Sequence, residues 1–249
     1  MRTSCVDLTC RAWLAAAYGE KCEELGKESP ETRAWIGEGD GQRTFLKWYP
    51  TELCEGRGEI ERSISGTFLH PAIVPLRRLV HCTDGDLHVY DFVEGLNLAG
   101  QSARRQFALR PVAERISVVQ NVMEALGAIC EAGFTVVDWH EGNMHYDFNA
   151  KKIWLFDWDL CRRGPSFTLE MESNYGTSRL MAPEELVRGS SIDQMTLVFN
   201  LGRFAMIYLP ELAEDLADIL AKATHPSRKR RFETARALAD ALRDSLKSE

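Results

Sequence analysis

The stretch "TVVDWHEGNMHYD", Thr135–Asp147, followed by "KKIWLFDWDL", Lys151–Leu160, decides how the rest of the chain is read. Asp138 stands five residues ahead of Asn143, and a second acid, Asp157, comes behind a short apolar run. Two carboxylates and an amide at that spacing are parts for holding metal and phosphate. They are also turn chemistry, because Asp and Asn bond readily to their own backbone. What lies on either side separates the two readings.

The 249 residues, 45% of them hydrophobic, are enough for one large domain or two lobes sharing a cleft. A formal net charge of -7 argues against non-specific nucleic-acid binding. The one short basic run, "SRKRR", Ser227–Arg231, reads as a solvated helix start. No stretch approaches the roughly 20 apolar residues of a membrane-spanning helix, and "AWLAAAY" is too short for a secretory signal. The seven cysteines are scattered without a CxxC pair. That pattern suggests neither a zinc site nor a disulfide framework and fits a reducing cytoplasm.

Upstream, apolar-leaning runs around Arg33–Ile36 and Thr44–Trp48 are joined by "GEGDGQ", which predicts a β-hairpin. "GEIERSISGTFLHPAIVPL" reads as a helix that ends before Pro71. "LHVYDFVEGLNL" then gives a strand with an extended exit. In 111–132, Val112, Ile116, Val119, Met123, Leu126 and Cys130 recur at helical spacing. "KKIWLFDW" reads as a strand. "SSIDQMTLVFNLGRFAMIYL", "LAEDLADILAKA" and "FETARALADALRDSL" read as helices, the last two amphipathic.

Taken in this order, the motifs resemble the protein-kinase superfamily from about Tyr18 onward. The resemblance implies an α+β, bilobal protein kinase-like fold. A small β-rich N-lobe would span 1–93, with 1–17 as a helical extension. A mainly helical C-lobe with a reduced helix G region would span 94–249. Lys47 in "TFLKWY" falls at the phosphate-binding lysine, and Glu61 at the helix C glutamate that pairs with it. "VYDFVEG" resembles the hinge, which makes Tyr90 the gatekeeper and turns the backbone of Asp91 and Val93 to adenine. Asp138 resembles the catalytic-loop aspartate, Asn143 and Asp157 the magnesium ligands, and Ala182-Pro183-Glu184 the APE motif. Asp193 matches the helix F aspartate, and Arg231 the partner of Glu184. ATP and magnesium are the implied cofactors, and a protein hydroxyl or a regulated protein the implied partner.

Departures from that pattern bear on function. Where the family has its glycine-rich loop, Gly26 matches the first glycine, but Glu28 and Glu31 take the places of the other two, and Pro30 removes an amide donor. Phe45 replaces the small residue over adenine, and His145 the apolar residue beneath it. Val136 and Val137 replace the His and Arg of HRD, so no arginine there would grip a phosphorylated activation segment. Trp158 and Asp159 replace the Phe and Gly of DFG. "DWHEGN" with "FDWD" is also similar to the aminoglycoside and choline kinase-like phosphotransferases, where His140 belongs to the catalytic loop. His140 and His145 invite a metal reading as well, without a further ligand. Three functions stay open: an atypical Ser/Thr protein kinase, a catalytically impaired pseudokinase acting as a binding module, and a small-molecule kinase. Each position also has a plain alternative, with Lys47 an exposed strand lysine, Glu61 a surface helix residue and Asp193 a helix cap.

Overall fold

The computed structural model describes residues 1–26, 31–172 and 177–247. The protein is α+β, with a mixed sheet and seven helices of seven residues or more among the described residues. No described helix is long and apolar enough to cross a membrane. The chain divides into two compact units. The first comprises Met1–Phe68, Ile73–Glu94 and Phe156–Asp159, and the second Leu69–Ala72, Gly95–Leu155 and Leu160–Glu249.

The first unit carries β1 (Arg2–Cys5), α1 (Cys10–Tyr18), β2 (Cys22–Glu24), β3 (Arg33–Gly39), β4 (Gln42–Pro50), α2 (Glu59–Ser65), β5 (Leu76–Cys82) and β6 (Gly85–Asp91). Its six-stranded sheet runs β1-β5-β6-β4-β3-β2. β1 lies parallel to β5, and the other pairings are antiparallel. The β3–β4 hairpin forms as the sequence predicts: Asp40 and Gly41, both at positive φ, make the two-residue turn whose twist suits the strands. Residues 1–17 are only partly the helical extension expected, since Arg2–Cys5 is a strand. β5 was equally hidden in the sequence, because "RR" breaks the apolar pattern of "LRRLVHC".

Strand alternation gives this sheet two chemically different faces. On one, Trp35, Leu46, Val80, Leu87 and Val89 pack with Cys10, Trp13 and Leu14 of α1, which recur at the i, i+3, i+4 positions of one helical stripe. Thr9 caps that helix by accepting from the Ala12 N–H, and the Cys10 N–H donates to Asp84 Oδ1 at 2.7 Å. The opposite face takes the alternate residues, Phe45, Lys47 and Tyr49 of β4 beside Tyr90, His88 and Asp86 of β6. The candidate lysine is therefore on the face away from α1.

The second unit begins with β7 (Leu96–Asn97), α3 (Gln101–Ala108), α4 (Val112–Glu131) and β8 (Phe134–Thr135). β9 (Met144–Asp147), β10 (Lys152–Leu155), β11 (Arg162–Arg163), β12 (Ser166–Thr168) and β13 (Ser191–Asp193) follow. α5 (Gln194–Tyr208), α6 (Ala217–Ala223) and α7 (Ala235–Ser245) complete it. α4 packs on α5 and α7 through Val119, Val122, Met123, Leu126 and Ile129, all fully buried. Gly202 lets α5 approach α6: a Cβ there would lie 2.9 Å from the Ala223 Cβ and the Thr224 Cγ2. Residues 209–216 join α5 to α6 through the 3-10 turn Pro210–Leu212 and a further turn, so the helix expected from Leu212 begins only at Ala217.

The basic run is not the solvated helix start expected. Arg228–Arg230 form a single 3-10 turn, and Arg231 is buried. Composition alone does not show this, because a guanidinium is buried only when a distant carboxylate meets it; the pairing of Arg231 with Glu184 implied by the resemblance does.

Candidate functional site

Each unit holds one cluster of the predicted residues. In the first, the Lys47 ammonium donates to Asp157 Oδ1 at 2.6 Å and to Asp159 Oδ2 at 3.1 Å. Its Nζ lies 5.0 Å from the centre of the Tyr49 ring. The Lys47–Glu61 pair that the resemblance implies is absent: no ion pair within 4 Å joins them among the described residues. Glu61 instead holds the backbone between the two aspartates. Its Oε2 accepts the Trp158 N–H at 2.6 Å, and its Oε1 accepts the Ser65 hydroxyl at 2.9 Å. It is 2% exposed, so it is not a surface helix residue.

The electrostatics follow from that arrangement. Burial alone would lower the pKa of Lys47, but Asp157, Asp159 and Glu61 outweigh it and raise the value, so the ammonium stays charged. Burial, with the two aspartates, pushes Glu61 up to about 7 against the opposing effect of Lys47. Burial pushes His88 down to about 3, with Lys47 adding to the effect, so this imidazole is neutral. Burial likewise raises Tyr49 and Tyr90, keeping both phenols protonated. Lys47 is thus a cation set among the acids Asp157 and Asp159 and the neutral rings of Tyr49, His88 and Tyr90.

Around the lysine, Phe45 lies opposite Tyr90 in the strand register, with ring centres 5.9 Å apart. Asp91 ends β6, its carboxylate forked onto Arg77, and Val93 follows, half-buried. Gly26 is exposed, and a Cβ there would meet nothing within 4 Å, so the protein itself does not require glycine at that position. Glu31 pairs with Arg57 at 2.6 Å, while Glu28 and Pro30 lie outside the described residues.

The second cluster is the 135–147 loop. Among the described residues, five non-glycines have positive φ, and two of them are Asp138 (58°) and Asp157 (72°). Aspartate tolerates this region better than most residues, and such strain collects at functional positions. Buried Val136, Val137 and Trp139 anchor the loop from either side of Asp138. The Asn143 amide donates to the Asp138 carbonyl at 3.0 Å, and no hydrogen bond to its Oδ1 is found among the described residues. His140 Nδ1 accepts the Gly142 N–H at 2.9 Å, and its Nε2 lies 3.8 Å from Asp138 Oδ1. Gly142 must be glycine here, since a Cβ would fall 2.4 Å from the His140 ring. The buried Glu141 pairs with Arg179 at 2.9 Å. His140 therefore braces the loop, while His145 lies apart on β9 opposite Asn97 and Trp154, its pKa lowered by burial. Among the described residues no three His, Cys, Asp or Glu side chains group as a metal centre.

Farther along, Arg231 meets Glu184 through two bonds of 2.6 and 2.9 Å, the pairing the resemblance implies. The Thr196 hydroxyl adds a third bond to Glu184 at 3.0 Å. Asp193 caps α5 by accepting from the Met195 and Thr196 N–H groups and also pairs with Arg228, so its helix-cap reading holds.

Two residues of these clusters escaped the sequence reading. Asp159 reads in the sequence only as a departure from DFG, although its spacing of two from Asp157 suits a second carboxylate for one cation. Ser65, four residues after Glu61 and so one helical turn on, could have been read as its donor. The sequence matches no protein-family model and no curated protein.

Proposed function

We propose that the chain is an ATP- and magnesium-dependent phosphotransferase, an atypical Ser/Thr protein kinase that acts on a protein hydroxyl. The observation that carries this reading is the Lys47 ammonium, kept charged on a strand face by Asp157, an acid in left-handed backbone conformation. A partly buried lysine cation beside a hard carboxylate suits triphosphate with magnesium, because phosphoryl transfer is catalysed mainly by positioning and charge neutralisation.

With the Asn143 nitrogen turned to the Asp138 carbonyl, its oxygen is the atom left for a cation, and Asp157 keeps 44% of its side chain exposed. In this reading each would offer magnesium one oxygen, which suits an ion that takes few protein oxygens and retains water. Bound MgATP would supply the transferable phosphoryl group. Lys47 would neutralise phosphate oxygens, exchanging one carboxylate contact for them. Asp138 would accept the hydrogen bond of the acceptor hydroxyl and orient it. Glu61 and His140 would position rather than react, the first holding the Trp158 backbone and the second the Gly142 turn.

A second reading, a catalytically impaired module that binds a partner, is favoured by a specific observation: Lys47 already has two carboxylate partners, and Phe45 packs with Tyr90 beside it. The purified protein should transfer label from γ-labelled ATP to casein with magnesium, and Asp138→Ala and Asp157→Ala should each lose at least about a hundredfold in rate. Nucleotide binding without transfer would favour the impaired module. Transfer to an aminoglycoside or to choline, but not to casein, would favour a small-molecule kinase.

A further inference from the structure

In the second unit, an open groove of about 530 Å³ runs between the turn Pro183–Leu186 and residues 226–229. Pro183, Val187, Met195 and Pro226 give it an apolar floor, and Arg228 and Lys229 stand at its edge. Leu186 and Val187 are more than half exposed, at 57% and 56%. Such adjacent aliphatic side chains bury best against an apolar partner.

The charge around the groove is opposite to that of the protein. Arg228, Lys229, Arg230 and Arg231 are consecutive, while the acids bound among them are Glu184 and Asp193, so four cations face two carboxylates. Glu184 is matched by Arg231 and Asp193 by Arg228, which leaves the exposed Lys229 and Arg230 as local surplus on a chain of net charge -7. The buried Nε of Arg228 also finds no hydrogen-bond acceptor among the described residues. A partner with an apolar anchor flanked by carboxylates would satisfy both floor and edge. Among the described residues the lining holds no aromatic side chain on which a base could stack, which disfavours single-stranded nucleic acid.

We propose that this groove docks an acidic linear segment of another protein, with one large apolar side chain seated over Val187 and Met195 and flanking carboxylates on Lys229 and Arg230. The groove uses none of the residues assigned to phosphoryl transfer, so it stands or falls independently of the proposed function.

The test is fluorescence anisotropy with a fluorescein-labelled peptide carrying a central Leu-Phe pair between runs of glutamate. The full chain should bind it saturably. Lys229→Glu and Val187→Asp should each weaken binding about tenfold, with unchanged thermal melting because both side chains are exposed. Replacing Leu-Phe by Ser-Ser or the glutamates by lysines should abolish binding. Lys229→Gln, which removes the charge without reversing it, should fall between wild type and Lys229→Glu. Absent binding, equal binding of the Ser-Ser peptide, or indifference to both substitutions would overturn the proposal. Displacement by a polyuridine oligonucleotide would overturn it in favour of nucleic acid, and concentration-dependent self-association lost in Val187→Asp would do so in favour of a second copy of the chain.

Discussion

Lys47 is held by two acids that lie 110 and 112 residues away in sequence. Replacing it by Met leaves Asp159, 12% exposed, without its cation. A buried charge stripped of its partner costs about 3 kcal/mol. Urea unfolding at pH 7 should show that loss for Lys47→Met, and an unchanged midpoint would mean that Asp159 finds another partner. Glu61 makes the opposite kind of prediction. Its folded pKa of about 7 lies above the ordinary 4.5, so its contribution is fully present below pH 4.5 and is lost as pH rises through 7. Glu61→Gln keeps an oxygen for the Trp158 N–H and carries no charge. It should therefore remove a decline of up to about 3 kcal/mol between pH 5 and 8, seen as a flatter dependence of the denaturation midpoint on pH. If the variant keeps the wild-type slope, Glu61 does not titrate there.

Elements in this protein form where local pattern and long-range burial agree. α4 runs from Val112 to Glu131, within a residue of the span its periodicity predicts, because one face of apolar side chains repeats over five turns. The β3–β4 hairpin is set by Asp40 and Gly41. α5 shows a constraint that periodicity does not reveal, since Gly202 exists for its neighbour rather than for its own helix. Gly202→Ala would gain helix propensity in isolation, yet its Cβ would press on Ala223 and Thr224 at 2.9 Å. The expected net effect is a destabilisation of about 1 to 3 kcal/mol, read as a lower Tm; an unchanged or raised Tm would mean that α6 moves aside freely.

Across the whole molecule, acidification should unfold the protein through several carboxylates at once. Burial alone would raise the pKa of Glu184, but the Arg231 hydrogen bonds and charge bring it below the usual value. Arg110 lowers Glu114, Arg236 lowers Glu131 and Arg115 lowers Glu211, in each case first through a hydrogen bond. A depressed folded value gives stability that is present above the ordinary pKa of 4.5 and is lost as pH falls through the folded value. Denaturation midpoints should drop steeply below pH 4.5, and Arg231→Met, which removes the best buried of these partners, should shift that drop to higher pH. A profile flat down to pH 3 would show that these pairs carry no net stability.

The sequence by itself determined the α+β character, the β3–β4 hairpin, the span of α4, and the presence of α5 and α7, though α5 starts at Gln194 behind a short strand rather than at Ser190. These are local properties: a period of two or 3.6 and the φ demands of Gly, Asp and Pro are written within a few residues. Only the tertiary structure decided that Arg2–Cys5 joins the sheet in parallel, that Glu61 holds a backbone amide rather than Lys47, and that Asp159 is the second acid on that lysine. It also decided that Arg115, a mere surface cation on composition, is buried and paired with Glu211. Which acid meets which cation depends on register and packing between segments about a hundred residues apart, and the cost of an unpaired buried charge then fixes the choice.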